Sequence, residues 1–167
     1  MNIDHANTHS SFDPLLAPVK MSNLCCEINL PTKPLTNVFD EEGEIALCTL
    51  SAINWGAFKA PEDMQRACEL AVRGLDALLS YQNYPILAAK LATEGRRPLG
   101  IGIINLAYWL AKHDTNYSDP DLELVDTWAQ HWSYYLIKAS ADIAQERAPC
   151  PKSNETKYHQ GILPIDT

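Results

Sequence analysis

An amide, a thiol and a carboxylate occupy alternate positions, Asn23, Cys25 and Glu27, in the stretch Ser22-Asn23-Leu24-Cys25-Cys26-Glu27-Ile28. In extended backbone successive side chains point to opposite sides, so these three project from one side and Leu24, Cys26 and Ile28 from the other. Such a trio can orient a polar substrate, supply a sulfur-centred reagent and move a proton. A second thiol, Cys48, follows in the apolar run Glu44-Ile45-Ala46-Leu47-Cys48-Thr49-Leu50-Ser51. The spacing alone also fits a strand edge at which both cysteines are small core residues, the usual place for free cysteine.

The elements around the trio decide what it can reach. Pro31, Pro34 and the cluster Asp40-Glu41-Glu42-Gly43 read as an excursion between two extended stretches, which brings one thiol back towards the other. The trio is expected in a loop at about 20–30, and Cys48 in a mostly buried strand at about 44–52. Upstream, Pro14 and Pro18 give the first twenty residues the chemistry of an approach loop. His5 and His9 are then surface or loop histidines, because two ligands without a third do not make a metal site. No metal-ligating set is expected.

Residues 61–147 read as mainly helical. Pro61-Glu62-Asp63 opens a helix whose buried stripe is Met64, Ala67, Cys68, Ala71, Val72, Leu75, Leu78 and Leu79, so Cys68 belongs to packing. A shorter helix is expected from Pro85 to Ala92 with its stop at Gly95. Gly100-Ile101-Gly102-Ile103-Ile104-Asn105 reads as a buried strand. Its Gly-x-Gly lacks the third glycine of a dinucleotide fingerprint, and the glycines are expected to let another element pack closely. Leu106 to Lys112 continues as a helix ended by His113-Asp114, the strand-then-helix unit of α/β folds. Asp119-Pro120 starts a long helix towards Arg147, with Leu122, Val125, Trp128, Ala129, Trp132, Tyr135, Leu136, Ala139 and Ile143 at buried spacing. Tyr134 and Tyr135 face different directions on it and are read as packing residues, not radical carriers.

Composition narrows the function classes. The 167 residues are 46% hydrophobic and carry a formal charge of −8, which argues against a nucleic-acid or anionic-membrane surface. No stretch approaches ~20 consecutive apolar residues, and the polar start lacks the pattern of a signal peptide, so a cytoplasmic protein is expected. Five cysteines without Cys-x-x-Cys spacing indicate neither a disulfide framework nor a zinc knuckle. The start has no first strand and the tail no stop, which reads as an internal segment of a larger domain.

These residues resemble the large, catalytic (alpha) subunit of class I, aerobic ribonucleotide reductase over practically the whole chain. The likeness rests on Asp4-His5-x-Asn7-Thr8-His9-Ser10, Ser22-Asn23-Leu24-Cys25-x-Glu27-Ile28, Pro31-Thr32-Lys33-Pro34-Leu35 and Gly43-Glu44-Ile45-Ala46-Leu47-Cys48-Thr49-Leu50-Ser51. Arg96-Arg97-x-Leu99-Gly100-Ile101-Gly102, Asn154-Glu155-Thr156 and Gly161-Ile162-Leu163-Pro164-Ile165-Asp166-Thr167 extend it. The resemblance implies an α/β fold: part of a ten-stranded α/β barrel with a central finger loop, incomplete in this chain, with residues 1–167 all inside that catalytic domain. It implies that Cys25 becomes a transient thiyl radical that takes the ribose 3′ hydrogen, and that Glu27 accepts the 3′ hydroxyl proton. Asn23 binds substrate beside them. Cys48 is implied to be one of two thiols that deliver reducing equivalents as the 2′ hydroxyl leaves as water. The implied partners are a ribonucleoside diphosphate substrate, the remaining parts of the large subunit and the small (beta) subunit, with no nucleic acid and no membrane. No cofactor is implied within this segment: the radical comes from the metal-containing small subunit, electrons from thioredoxin or glutaredoxin, and nucleotide effectors bind elsewhere. Cys26 departs from the family pattern and is expected to be passive. An inert truncated fragment, or a non-catalytic assembly or scaffolding module, is the alternative.

Overall fold

The computed structural model of the chain describes residues 2–24 and 28–166. Along the chain run α1 (Ile3–His9), β1 (Val19–Ser22), β2 (Asn29–Pro31), β3 (Leu50–Asn54), α2 (Gln65–Tyr81), α3 (Leu87–Arg96), β4 (Gly100–Ile104), α4 (Leu106–Lys112) and α5 (Leu122–Glu146). The fold is mixed α/β. Among the described residues the strands make two separate two-stranded sheets, β1 with β2 and β3 with β4, and no closed barrel. No helix among them is long and apolar enough to cross a membrane. The described residues divide into two compact units, one drawn from Met1–Thr49, Leu78–Gly100 and Pro149–Thr167, the other from Leu50–Ala77 and Ile101–Ala148.

In the first unit, Ile3–His9 of the expected approach loop form helix α1, whereas residues 10–18 belong to no helix or named strand. Asn2 caps α1 by accepting from the N–H groups of Asp4 and His5 at 3.0 and 3.2 Å. Within it, Thr8 Oγ1 and Asn7 Nδ2 donate to the carbonyls of Asp4 and Ile3. Polar side chains thus satisfy the backbone of this short helix of seven residues. The Asn7 amide also accepts from Val19 N–H at 2.7 Å and donates to Val19 O at 3.0 Å, standing in for a neighbouring strand where β1 begins. β1 and β2 pair antiparallel, with Met21 opposite Leu30 and Ser22 opposite Asn29. Val19, Ile28 and Leu30 are buried beneath them. The tail returns beside residues 11–13, where Phe12 bridges Thr156 and Asp13 N–H donates to Glu155 O at 2.9 Å.

The stop of α3 differs from expectation for a packing reason. Gly95 lies inside the helix, and a Cβ there would meet the Lys152 side chain at 3.1 Å. The left-handed cap falls to Arg97, at φ 49°, with Pro98 next to prevent continuation.

The second unit is built on aromatic packing. Trp55, Trp109 and Trp128 are each at most 2% exposed, and their rings meet in pairs at 5.1 to 5.7 Å, two of the three pairs edge to face. Ile53 of β3, Met64 and Cys68 and Leu110 of α4 complete this core. The expected stripe of α2 holds at Cys68, Val72, Leu75 and Leu79, whereas Leu78 is exposed. α4 spans the residues expected of it. α5 begins at Leu122 behind an Asp121 cap and buries Trp128, Ala139 and Ile143. Leu122 and Tyr134 are exposed, so of the adjacent tyrosines only Tyr135 packs against the core. Gly102 supports no close approach: a Cβ there would meet nothing within 4 Å.

Candidate active site

Asn23 is held by its own loop. It is 7% exposed, its N–H donates to Ile28 O at 3.3 Å, and its Oδ1 accepts from Ile28 N–H at 3.0 Å. This clamp closes the segment that leaves β1 and enters β2. Its Nδ2 is buried and has no hydrogen-bond partner among the described residues. A buried amide donor left unpaired costs about 1–3 kcal/mol, so the polar group it lacks is a candidate ligand. Cys25, Cys26 and Glu27 lie outside the described residues.

Cys48 is a free thiol, but its surroundings differ from the buried strand expected over 44–52. It is exposed, residues 45–49 form no strand, and β3 starts only at Leu50. The backbone explains why. Ile45 N–H donates to Ala88 O on helix α3 at 3.1 Å, and Thr49 O accepts from Gly100 N–H at 3.0 Å, so no partner strand runs alongside. Cys68 is fully buried in the aromatic core, and burial pushes its thiol up to about 11, the inert state expected of a packing residue. The rings of His5 and His9 lie 4.3 Å apart, tilted by 48°, with no third ligand among the described residues.

Sequence reasoning missed the strongest charge cluster in the first unit. Glu44, 3% exposed, is ion-paired with Arg96 and Lys152 and lies 3.4 Å from the Lys33 ammonium. Arg96 is itself buried and turns its other edge to Glu155 at 2.8 Å. The only signal was a lone carboxylate at the head of an apolar run. A cleft of about 360 Å³ opens beside it, but both lysines on its wall are engaged by Glu44.

Burial pushes the Glu44 carboxyl up, and hydrogen bonds and charge from Arg96 and Lys152 outweigh that and hold it at about 2. A carboxyl lowered on folding stabilises the native state above its unfolded value near 4.5, and that contribution is lost as pH falls through about 2. It is worth on the order of 3 kcal/mol. The stability gap between the parent and Glu44→Gln, read from urea midpoints, should therefore shrink steadily between pH 5 and pH 2. A gap unchanged over that range would remove the ion cluster from the account.

By class the chain is a mixed α/β segment with an amide and a thiol at its candidate site. A family model described as "Ribonucleotide reductase, barrel domain" matches residues 1–167, and the chain belongs to that family. It is 59% identical to the ribonucleoside-diphosphate reductase 1 subunit alpha of Escherichia coli (strain K12) and to that of Salmonella typhimurium, and 55% identical to the subunit alpha of Haemophilus influenzae. Each comparison covers 99% of this chain and 22% of the relative, so the chain spans under a quarter of the length of these proteins.

Proposed function

We propose that the chain carries the thiyl loop and one redox thiol of a ribonucleoside-diphosphate reductase, within a ten-stranded α/β barrel that the remaining parts of the large subunit complete. The loop at 20–30 is its finger loop. Cys25, as a thiyl radical received from the small, metal-bearing subunit, takes the ribose 3′ hydrogen, and Glu27 takes the 3′ hydroxyl proton. The 2′ hydroxyl leaves as water while Cys48 and a second thiol outside this chain give up two electrons and two protons and end as a disulfide. The Cys25 thiol then returns hydrogen to C3′. Thioredoxin or glutaredoxin reduces the disulfide, which the exposure of Cys48 favours. The product serves DNA precursor synthesis. The free thiols of Cys48, Cys68 and Cys150 agree with a reducing, cytoplasmic setting. With a charge of −8 on this chain, the substrate diphosphate and the nucleotide effectors find their cationic sites elsewhere in the subunit.

The observation that carries this reading is the buried Nδ2 of Asn23, unpaired among the described residues, while its Oδ1 already fixes the loop. One atom positions the thiol-bearing segment and the other remains to donate to a ribose hydroxyl. In the enzyme assembled from this chain, the remaining large-subunit parts and the small subunit, Asn23→Ala should lower kcat/KM for a ribonucleoside diphosphate by about 10- to 100-fold. Parental turnover in that variant would take Asn23 out of the site, and an assembled parent without turnover would end the catalytic reading altogether.

A further inference from the structure

We propose that Glu44 is the positioning residue of the Cys48 thiol, acting as the fixed end from which residues 45–49 are hung. The inference rests on the redox role given to Cys48 above and assigns how that thiol is placed. Three separate segments of the chain bring a cation to the Glu44 carboxylate. Lys33 follows β2 by two residues and bridges Glu44 through paired backbone hydrogen bonds of 3.2 and 3.1 Å. Arg96 comes from the last turn of α3, and Lys152 from the tail, where Lys152 N–H also donates to Gly95 O at 2.9 Å. Through Arg96 the carboxylate is linked to Glu155 as well.

Downstream of this knot the backbone has little else to define it. Ile45 makes one hydrogen bond to α3, Thr49 makes one to Gly100, and Cys48 stands exposed between them without strand pairing. The path of the thiol is therefore set at its two ends, and the Glu44 end is the one held by ionic side chains. Stability alone does not call for such a cluster. A buried ion pair is often matched by apolar residues of the same volume, whereas its directional contacts fix geometry. Geometry is what a redox thiol needs, because two sulfurs join only when their Cα atoms lie within about 4.4–6.8 Å and their Cβ vectors converge.

The test uses the assembled reductase and three forms of this chain: parent, Glu44→Gln and Lys152→Met. Parental turnover is measured first and tests the redox reading by itself. If it is absent, that reading fails and this inference with it, before any variant is compared. With turnover present, Glu44→Gln should lower kcat about 10- to 100-fold while KM stays within about twofold, the split expected when a reacting group is misplaced and substrate binding is not. Amide exchange at Ile45 should quicken at least about tenfold, with 64–81 unchanged. Lys152→Met keeps the Arg96 pair and should show the same split at about threefold, and it decides the matter if Glu44→Gln does not fold. Parental kcat in the variant that decides, a parallel change of kcat and KM, or faster exchange throughout the chain would each overturn the proposal.

Discussion

Cys25→Ser should abolish ribonucleotide reduction, lowering turnover on the order of 10⁴-fold or more, the scale on which removal of a covalent participant acts. An O–H bond is much stronger than an S–H bond, so serine neither accepts the radical at the potential of a thiol nor returns its hydrogen to carbon at a useful rate. The exchange is close to isosteric and leaves the Asn23–Ile28 clamp in place, so nucleotide affinity should change by less than about tenfold. The neighbouring thiol supplies the control. The sequence gives Cys26 no part in the chemistry, and Cys26→Ser should retain turnover within about threefold of the parent. Measuring deoxynucleotide formation in the assembled enzyme, with substrate binding read separately, distinguishes the two. Equal losses in both variants, or persistence of turnover in Cys25→Ser, would remove Cys25 from the chemistry.

The sequence made the second unit legible because its helices are long and amphipathic. α4, the body of α2 and the buried stripe of α5 follow from a 3.6-residue period that burial enforces. The first unit was harder to read, since side chains rather than periodic backbone satisfy its polar groups. Asn2 capping α1, Asn7 imitating a strand beside Val19, and Asp40 closing the 36–43 loop by accepting from Thr36, Glu42 and Gly43 N–H groups are single-residue solutions without a period. The same holds at the candidate site. Asn23 is legible as the amide of the alternating trio, but its division into a clamping oxygen and a nitrogen unpaired among the described residues is a matter of geometry. The sequence alone places Cys48 in a strand because its neighbours are apolar. They are apolar for contact with a helix, to which Ile45 is hydrogen-bonded, and hydrophobic content does not separate the two cases. The cluster at Glu44 is not legible in the sequence because Arg96 and Lys152 lie 52 and 108 residues away.

The core of the second unit should respond very differently to two substitutions at one position. Trp109→Ala removes a fully buried ring that contacts Trp55, Trp128 and His113, and should destabilise the unit by about 3–5 kcal/mol, the range for large aromatic truncations. Trp109→Phe should cost far less than the lost volume suggests. The Trp109 indole N–H is buried without a hydrogen-bond partner among the described residues, as are those of Trp55 and Trp132. Phenylalanine deletes an unsatisfied donor worth about 1–3 kcal/mol along with part of the ring, so gain and loss nearly cancel and the net change should stay within about 1 kcal/mol. Far-UV circular dichroism in urea reports both variants without relying on tryptophan emission. A Trp109→Phe variant as unstable as Trp109→Ala would mean that the indole N–H has an acceptor, and that the core is held by a polar contact as well as by packed rings. The opposite finding, a mild Trp109→Ala, would mean that the surrounding side chains collapse into the space, which three interlocked tryptophans leave little freedom to do.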